Sequence, residues 1–131
     1  MLITDRLCED TDKLVFGPPV AYVYNPLKYA RAGWEAYVHA FNGTRCEILL
    51  LGMNPGPFGM VQTGVPFGDV PSVREWMGIE AKIEKPSHEH PRRPVDGFSC
   101  GRREVSGQRL WNWAAKRFGT AERFFERFFV S

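Results

Sequence analysis

Residues 46–68 read CEILLLGMNPGPFGMVQTGVPFG. The opening CEILLLG is a short continuous apolar run closed by a turn signal, the pattern of a strand buried on both faces of a parallel sheet. Beyond it, glycines 52, 56, 59, 64 and 68 and prolines 55, 57 and 66 leave neither helix nor strand able to persist. That part reads as a shaped loop. The strand puts Asn54 just past its C-terminal end, where open α/β sheets carry their ligands. On composition alone, an Asn between Gly-Met and Pro-Gly is a turn residue.

Upstream of the strand, Leu27, Ala30, Trp34, Tyr37, Val38 and Phe41 recur at three- and four-residue steps and predict an amphipathic helix over 27–41, closed by Asn42-Gly43. GPPVAYVYNP before it is a Pro-interrupted extended approach, with Pro26 near the helix start. Downstream, DVPSVREWMGI carries a short helical set, Val73, Trp76 and Met77, with Ser72 as its N-cap. In IEKPSHEHPRRPVDGFSCGRR, Pro86, Pro91 and Pro94 forbid a regular element, and loops of that length are functional or disordered. SGQRLWNWAAKRFG is a second good helix, with Ser106 near its start and Gly119 past its end. Trp111 and Trp113 cannot share one face of it. Thr120 caps a third helix, AERFFERF, and FFVS begins a buried strand. Two strands alone are marginal, so the expectation is one α/β domain over residues 1–131, the first half of a larger fold whose other strands are supplied elsewhere.

The bulk numbers bound the function only loosely. With 131 residues, 44% hydrophobic and 14% aromatic, the chain is sized for one core. A net charge of +2 decides nothing about nucleic acid, whose binding has to come from locally clustered cations. Cys8, Cys46 and Cys100 are odd in number and form no C-x-x-C, against a disulfide framework and against a zinc site. The start MLITDRLCED is no secretory leader, and no apolar run approaches a membrane span. An intracellular protein is expected, in the cytoplasm or nucleoid of a bacterium or the nucleus of a eukaryote, with no membrane association.

GMNPGPFGMVQTGVPFG, followed by KPSHEHPRRPVDGF and EVSGQRLWNW, resembles the single-strand-selective monofunctional uracil-DNA glycosylases, a branch of the uracil-DNA glycosylase superfamily. The resemblance runs from about Leu27 to the end and covers about the first half of a family member. It implies a parallel sheet flanked by helices and an enzyme of base excision repair. Such an enzyme flips uracil or certain oxidised uracils out of DNA and hydrolyses the N-glycosidic bond as a monomer, with no metal and no cofactor. Carried over by position, Asn54 holds the attacking water, while Met53 and Gly56 supply walls and backbone contacts of the pocket. Phe67 stacks on the flipped base, and Gly59 and Met60 lie where the family admits 5-substituted uracils. The family's His-Pro-Ser segment, whose His stabilises the departing uracil anion, has no counterpart here. Without it, the alternative is a non-catalytic DNA- or base-binding fragment.

The chemistry fits those residue types. Glycosidic hydrolysis passes through an oxocarbenium-like state, so it needs a placed water and a stabilised uracil anion. A neutral amide both accepts from and donates to a water, and stacking on an aromatic ring offsets part of the few kcal/mol of base flipping. Phe58 reads as core, and Gln62 and Thr63 read equally well as pocket-facing or as turn residues. His88, His90, Arg92 and Arg93, preceded by Lys82 and Lys85, form a modest basic stretch. His90, Arg92 and Arg93 are the candidate phosphate contacts, and Arg102 and Arg103 carry the same ambiguity. His88-x-His90 lacks a third ligand at convincing spacing, so no metal is expected. A phosphate-cradling nucleotide module is the weaker alternative, since neither G-x-G-x-x-G opening a helix nor a Walker lysine is present.

Overall fold

The computed structural model describes residues 2–42 and 46–131. Its helices are α1 (Leu2–Asp12), α2 (Pro26–Tyr29), α3 (Arg31–Ala40), α4 (Met60–Thr63), α5 (Val105–Phe118) and α6 (Ala121–Phe125), with strands β1 (Ile48–Leu50) and β2 (Phe128–Val130). The strands pair in parallel, Ile48 opposite Phe128 and Leu50 opposite Val130, a pairing that needs a crossover of covering elements. Here the crossover is the mostly irregular segment 51–104, which contains α4, together with α5 and α6. The architecture is α/β. No helix among the described residues is long and apolar enough to cross a membrane.

The core is aromatic and lies between α3, α5, α6 and the sheet. Trp111, Tyr37 and Phe124 are its largest fully buried side chains. Phe41 stacks on Phe125 and Phe124 on Phe128, with ring centroids 4.1 Å and 4.8 Å apart. The Tyr37 hydroxyl donates to the Val130 carbonyl at 2.8 Å. Burial pushes that phenol well above its ordinary range, so it stays a neutral donor that ties α3 to β2. Trp111 is buried while Trp113, two residues on, is 47% exposed, as the helical period requires.

Several expectations are corrected. The helix over 27–41 is broken at Ala30, which leaves helical geometry at φ −103° and ψ 22°. The break is tertiary in origin: Gly64, at φ 74°, approaches so closely that a Cβ there would lie 2.3 Å from the Ala30 carbonyl oxygen. The expected stop at Asn42-Gly43 falls partly outside the described residues, and α3 gives way at Phe41. Ser72 does not cap a helix. It is the first residue of a π-helical turn, Ser72–Trp76, and its hydroxyl is spent on Asp69 at 2.9 Å. β1 forms where expected but is not buried on both faces: Leu49 is 58% and Leu51 76% exposed, because two strands leave an edge and most of one face of the sheet uncovered. Helix α1 has no expectation behind it, since its apolar residues mark no clear stripe. Contacts across the chain hold it, including Trp34 Nε1–H to Thr4 Oγ1 at 3.2 Å and an ion pair of Arg31 with Asp5.

Candidate active site

The loop leaving β1 is held by two buried polar residues that the sequence left ambiguous or did not single out. Gln62 is 1% exposed and every polar atom of its side chain is bonded. Its Nε2 donates to the carbonyls of Pro57 (3.0 Å) and Pro94 (2.9 Å), while its Oε1 accepts from the N–H groups of Asp96 (2.8 Å) and Gly97 (3.1 Å). Gln62 therefore faces no pocket; it staples the glycine-rich loop to the far end of the proline-rich one. Thr63 is likewise inward, accepting from Val65 N–H at 3.2 Å beside the Gly59 and Gly68 carbonyls. Gln62→Leu removes four hydrogen bonds to the backbone, the one to Gly97 N–H buried and the other three part-buried, each group costing up to about 1–3 kcal/mol when left unsatisfied. Allowing for relaxation, about 3 kcal/mol of stability is lost, read as a lowered midpoint in a urea titration.

Asp69 is the second anchor. Its side chain is fully buried and accepts from Arg103 Nε at 2.8 Å and Nη2 at 2.7 Å, from Ser72 Oγ at 2.9 Å and from Glu104 N–H at 3.1 Å. Burial alone pushes this carboxyl up, but the guanidinium, hydroxyl and amide donors outweigh it and hold the group below the usual carboxylate range. Arg103 is thereby committed to this buried carboxylate.

Between these anchors sits Phe67, at a positive φ of 53°, a strained backbone for a residue with a Cβ. Trp111 Nε1–H donates to its carbonyl at 2.8 Å. Gly107 of α5 comes so near that a Cβ would stand 2.1 Å from the same oxygen. Thus α5 sets the turn, and the Phe67 ring reaches back to Gly52, 3.1 Å from where a Cβ would be. The ring is so brought to Gly52, two residues before Asn54 in the loop leaving β1. Asn54 is exposed and its Nδ2 reaches only the neighbouring Pro55 carbonyl at 3.3 Å. Met53 is 95% exposed and Met60 half-buried at the start of α4. Gly56 and Gly59 both lie against the Glu104 side chain, which would have to shift to admit a Cβ at either.

The basic stretch separates into paired and unpaired cations. Lys82 pairs with Glu84, Lys85 with Glu89, and Arg74 with Glu80. Among the described residues Arg92, Arg93 and Arg102 have no carboxylate partner. The guanidiniums of Arg93 and Arg102 lie 5.7 Å and 4.0 Å from the Phe58 ring centroid. Phe58 is therefore not core but a half-buried platform between two cations. His90 Nδ1 accepts from Arg92 N–H at 3.0 Å, leaving Nε2 as the ring's donor, whereas His88 is exposed beside Ser87. The Phe58 platform has no local sequence signal, because its arginines stand 35 and 44 positions away. Among the described residues no cluster of three or more His, Cys, Asp or Glu is placed to hold a metal ion.

No family model matches the chain. In pairwise comparison it is 46% identical over 125 residues to the single-strand selective monofunctional uracil DNA glycosylases of Bos taurus, Rattus norvegicus and Mus musculus. The match takes in 95% of this chain but only 46%, 45% and 45% of those proteins. Among solved structures, wild-type SMUG2 of Pedobacter heparinus superposes with a TM-score of 0.58 at 26% identity, covering 98% of this chain and 51% of that one. In sequence and fold the chain is thus similar to the single-strand-selective monofunctional uracil-DNA glycosylases, and it spans about half the length of those it matches.

Proposed function

We propose that these residues form part of one uracil-DNA glycosylase domain, supplying the water-positioning side of its site for excision of uracil and 5-substituted uracils from DNA. Asn54 holds the water, and Phe67 stacks on the flipped base. Met53, Gly56, Gly59 and Met60 line the pocket, and His90, Arg92 and Arg93 meet the DNA backbone. The observation that carries this reading is the Phe67 ring, held at positive φ by α5 and packed on Gly52, two residues before Asn54 in the loop leaving β1. Strain of that kind is retained where the surroundings over-determine it, as at ligand sites.

The test is uracil release from a single-stranded oligonucleotide. It uses the chain alone and a chimera in which these residues replace the corresponding half of the Bos taurus relative. Excision by the chimera supports the reading; a folded chimera that releases no uracil overturns it. The second reading, a base-binding fragment without catalysis, is favoured by the near-complete exposure of Met53, which leaves a pocket wall open on one side. It predicts binding without release by the chain alone.

The phosphate contacts have their own readout. Each contact to single-stranded DNA adds about 0.7 to the slope of log affinity against log salt. The double variant Arg92→Ala, Arg93→Ala is expected to flatten that slope by about 1.4, and an unchanged slope removes these residues from the interface.

A further inference from the structure

The extended segment before α2 has no part in the reading above, yet it forms one wall of a groove beside the Asn54 loop. The Tyr24 hydroxyl accepts from His90 N–H at 2.6 Å and donates to the Arg93 carbonyl at 2.7 Å. It pins the proline-rich loop across a separation of more than 60 residues. Tyr22 is 42% exposed and meets the His90 imidazole edge-on, with centroids 4.9 Å apart at 73°. Pro55, Pro57 and Val61 form the facing wall, and the groove holds about 340 Å³, within the range of small-molecule pockets. Arg93 lies at it and Arg102 joins Arg93 at Phe58, and neither has a carboxylate partner among the described residues.

An apolar slot with an exposed aromatic ring, flanked by unpaired guanidiniums, is the combination that takes a stacked base together with its phosphates. Resting on the glycosylase reading, we propose that this groove is a second nucleobase subsite. An unpaired base of the same DNA strand, next to the flipped nucleotide, stacks on Tyr22 while Arg93 and Arg102 take the flanking phosphates. The subsite adjoins the proposed base pocket without sharing its residues: Phe67 packs on Gly52, whereas the groove is walled by Pro55, Pro57 and Val61. His90 then acts as a groove wall, with its ring Nε2–H as a donor for the base edge.

The experiment measures fluorescence anisotropy of the full chain with two uracil-free single strands of equal length, one of normal bases and one carrying tetrahydrofuran abasic sites. A stacked base is expected to make the first strand bind about 5- to 100-fold tighter. Tyr22→Ala should abolish that preference, Tyr22→Phe should keep it, and Arg102→Ala should weaken both strands alike. Equal binding of the two strands by the wild type, or a preference that survives Tyr22→Ala, overturns the subsite. Should Tyr22→Ala fail to fold, His90→Ala, which removes the adjoining wall, is expected to reduce the preference, and an unaltered preference overturns it equally. Excision by the chimera is scored separately. A Tyr22-dependent preference without excision sinks the glycosylase reading alone, and normal excision without the preference sinks the subsite alone.

Discussion

Asn54→Ala in the uracil-excising chimera is expected to slow base release about 10²- to 10⁴-fold, the range for losing a residue that positions or exchanges a proton with the nucleophile. DNA affinity should change little. The side chain is exposed, makes only the contact to Pro55, and contributes nothing to the core, so folding should be unaffected. Loss of rate with unchanged melting temperature and unchanged oligonucleotide binding is therefore the signature of a group acting on the water. Near-normal release sinks the assignment. On the proposed reading, an amide that orients water but is a weak base leaves departure of the uracil anion to drive the reaction.

Arg103→Met is expected to cost about 3 kcal/mol of stability, because it removes one partner of a buried pair and leaves Asp69 without its bidentate donor. Arg103 is 44% exposed, which keeps the loss toward the lower end of the range for such pairs. Ser72 and the Glu104 amide still bind the carboxylate. The consequence is local as well as global: Arg103 and Glu104 lead into α5, and α5 sets the Phe67 turn. On the proposed reading, the variant should weaken stacking on the flipped base along with the fold. The same pair gives stability a pH dependence. Asp69 has a folded-state pKa below its unfolded one, so its contribution is fully present above about pH 4, the unfolded value. That contribution fades as the pH falls further through the folded value. In Arg103→Met this acid-side loss should shrink, and urea midpoints measured between pH 3 and pH 7 would show it. An identical acid profile in the variant removes Arg103 as the cause.

Much of the fold is legible locally because its signals are local. Gly119 stands at φ 80° just past α5, and the Thr120 hydroxyl accepts from Arg123 N–H at 3.4 Å to start α6, both as their residue types dictate. The two apolar runs become the two strands. The break at Ala30 and the role of Ser72 are not legible, since each is set by a neighbour distant in sequence: the close approach of Gly64 in one case, the buried Asp69 in the other. The same division holds at the candidate site. Asn54 and Phe67 stand out by motif, whereas the sorting of the cations does not. Lys82, Lys85 and Arg103 look as available as Arg92 and Arg93 until their carboxylate partners come into view.

The sequence by itself determined the α/β character and the loop after β1, because apolar period, glycine and proline act within a few residues, while its likeness to uracil-DNA glycosylases rests on the motif stretches it shares with them. Only the tertiary structure decided that Gln62 and Asp69 hold the loop, that α5 forces Phe67 into its turn, and that Tyr22 and Arg93 line one groove while Arg102 joins Arg93 at Phe58. Those arrangements rest on hydrogen bonds and ring contacts between residues 30 to 70 positions apart, and no local pattern encodes which distant partner a side chain will meet.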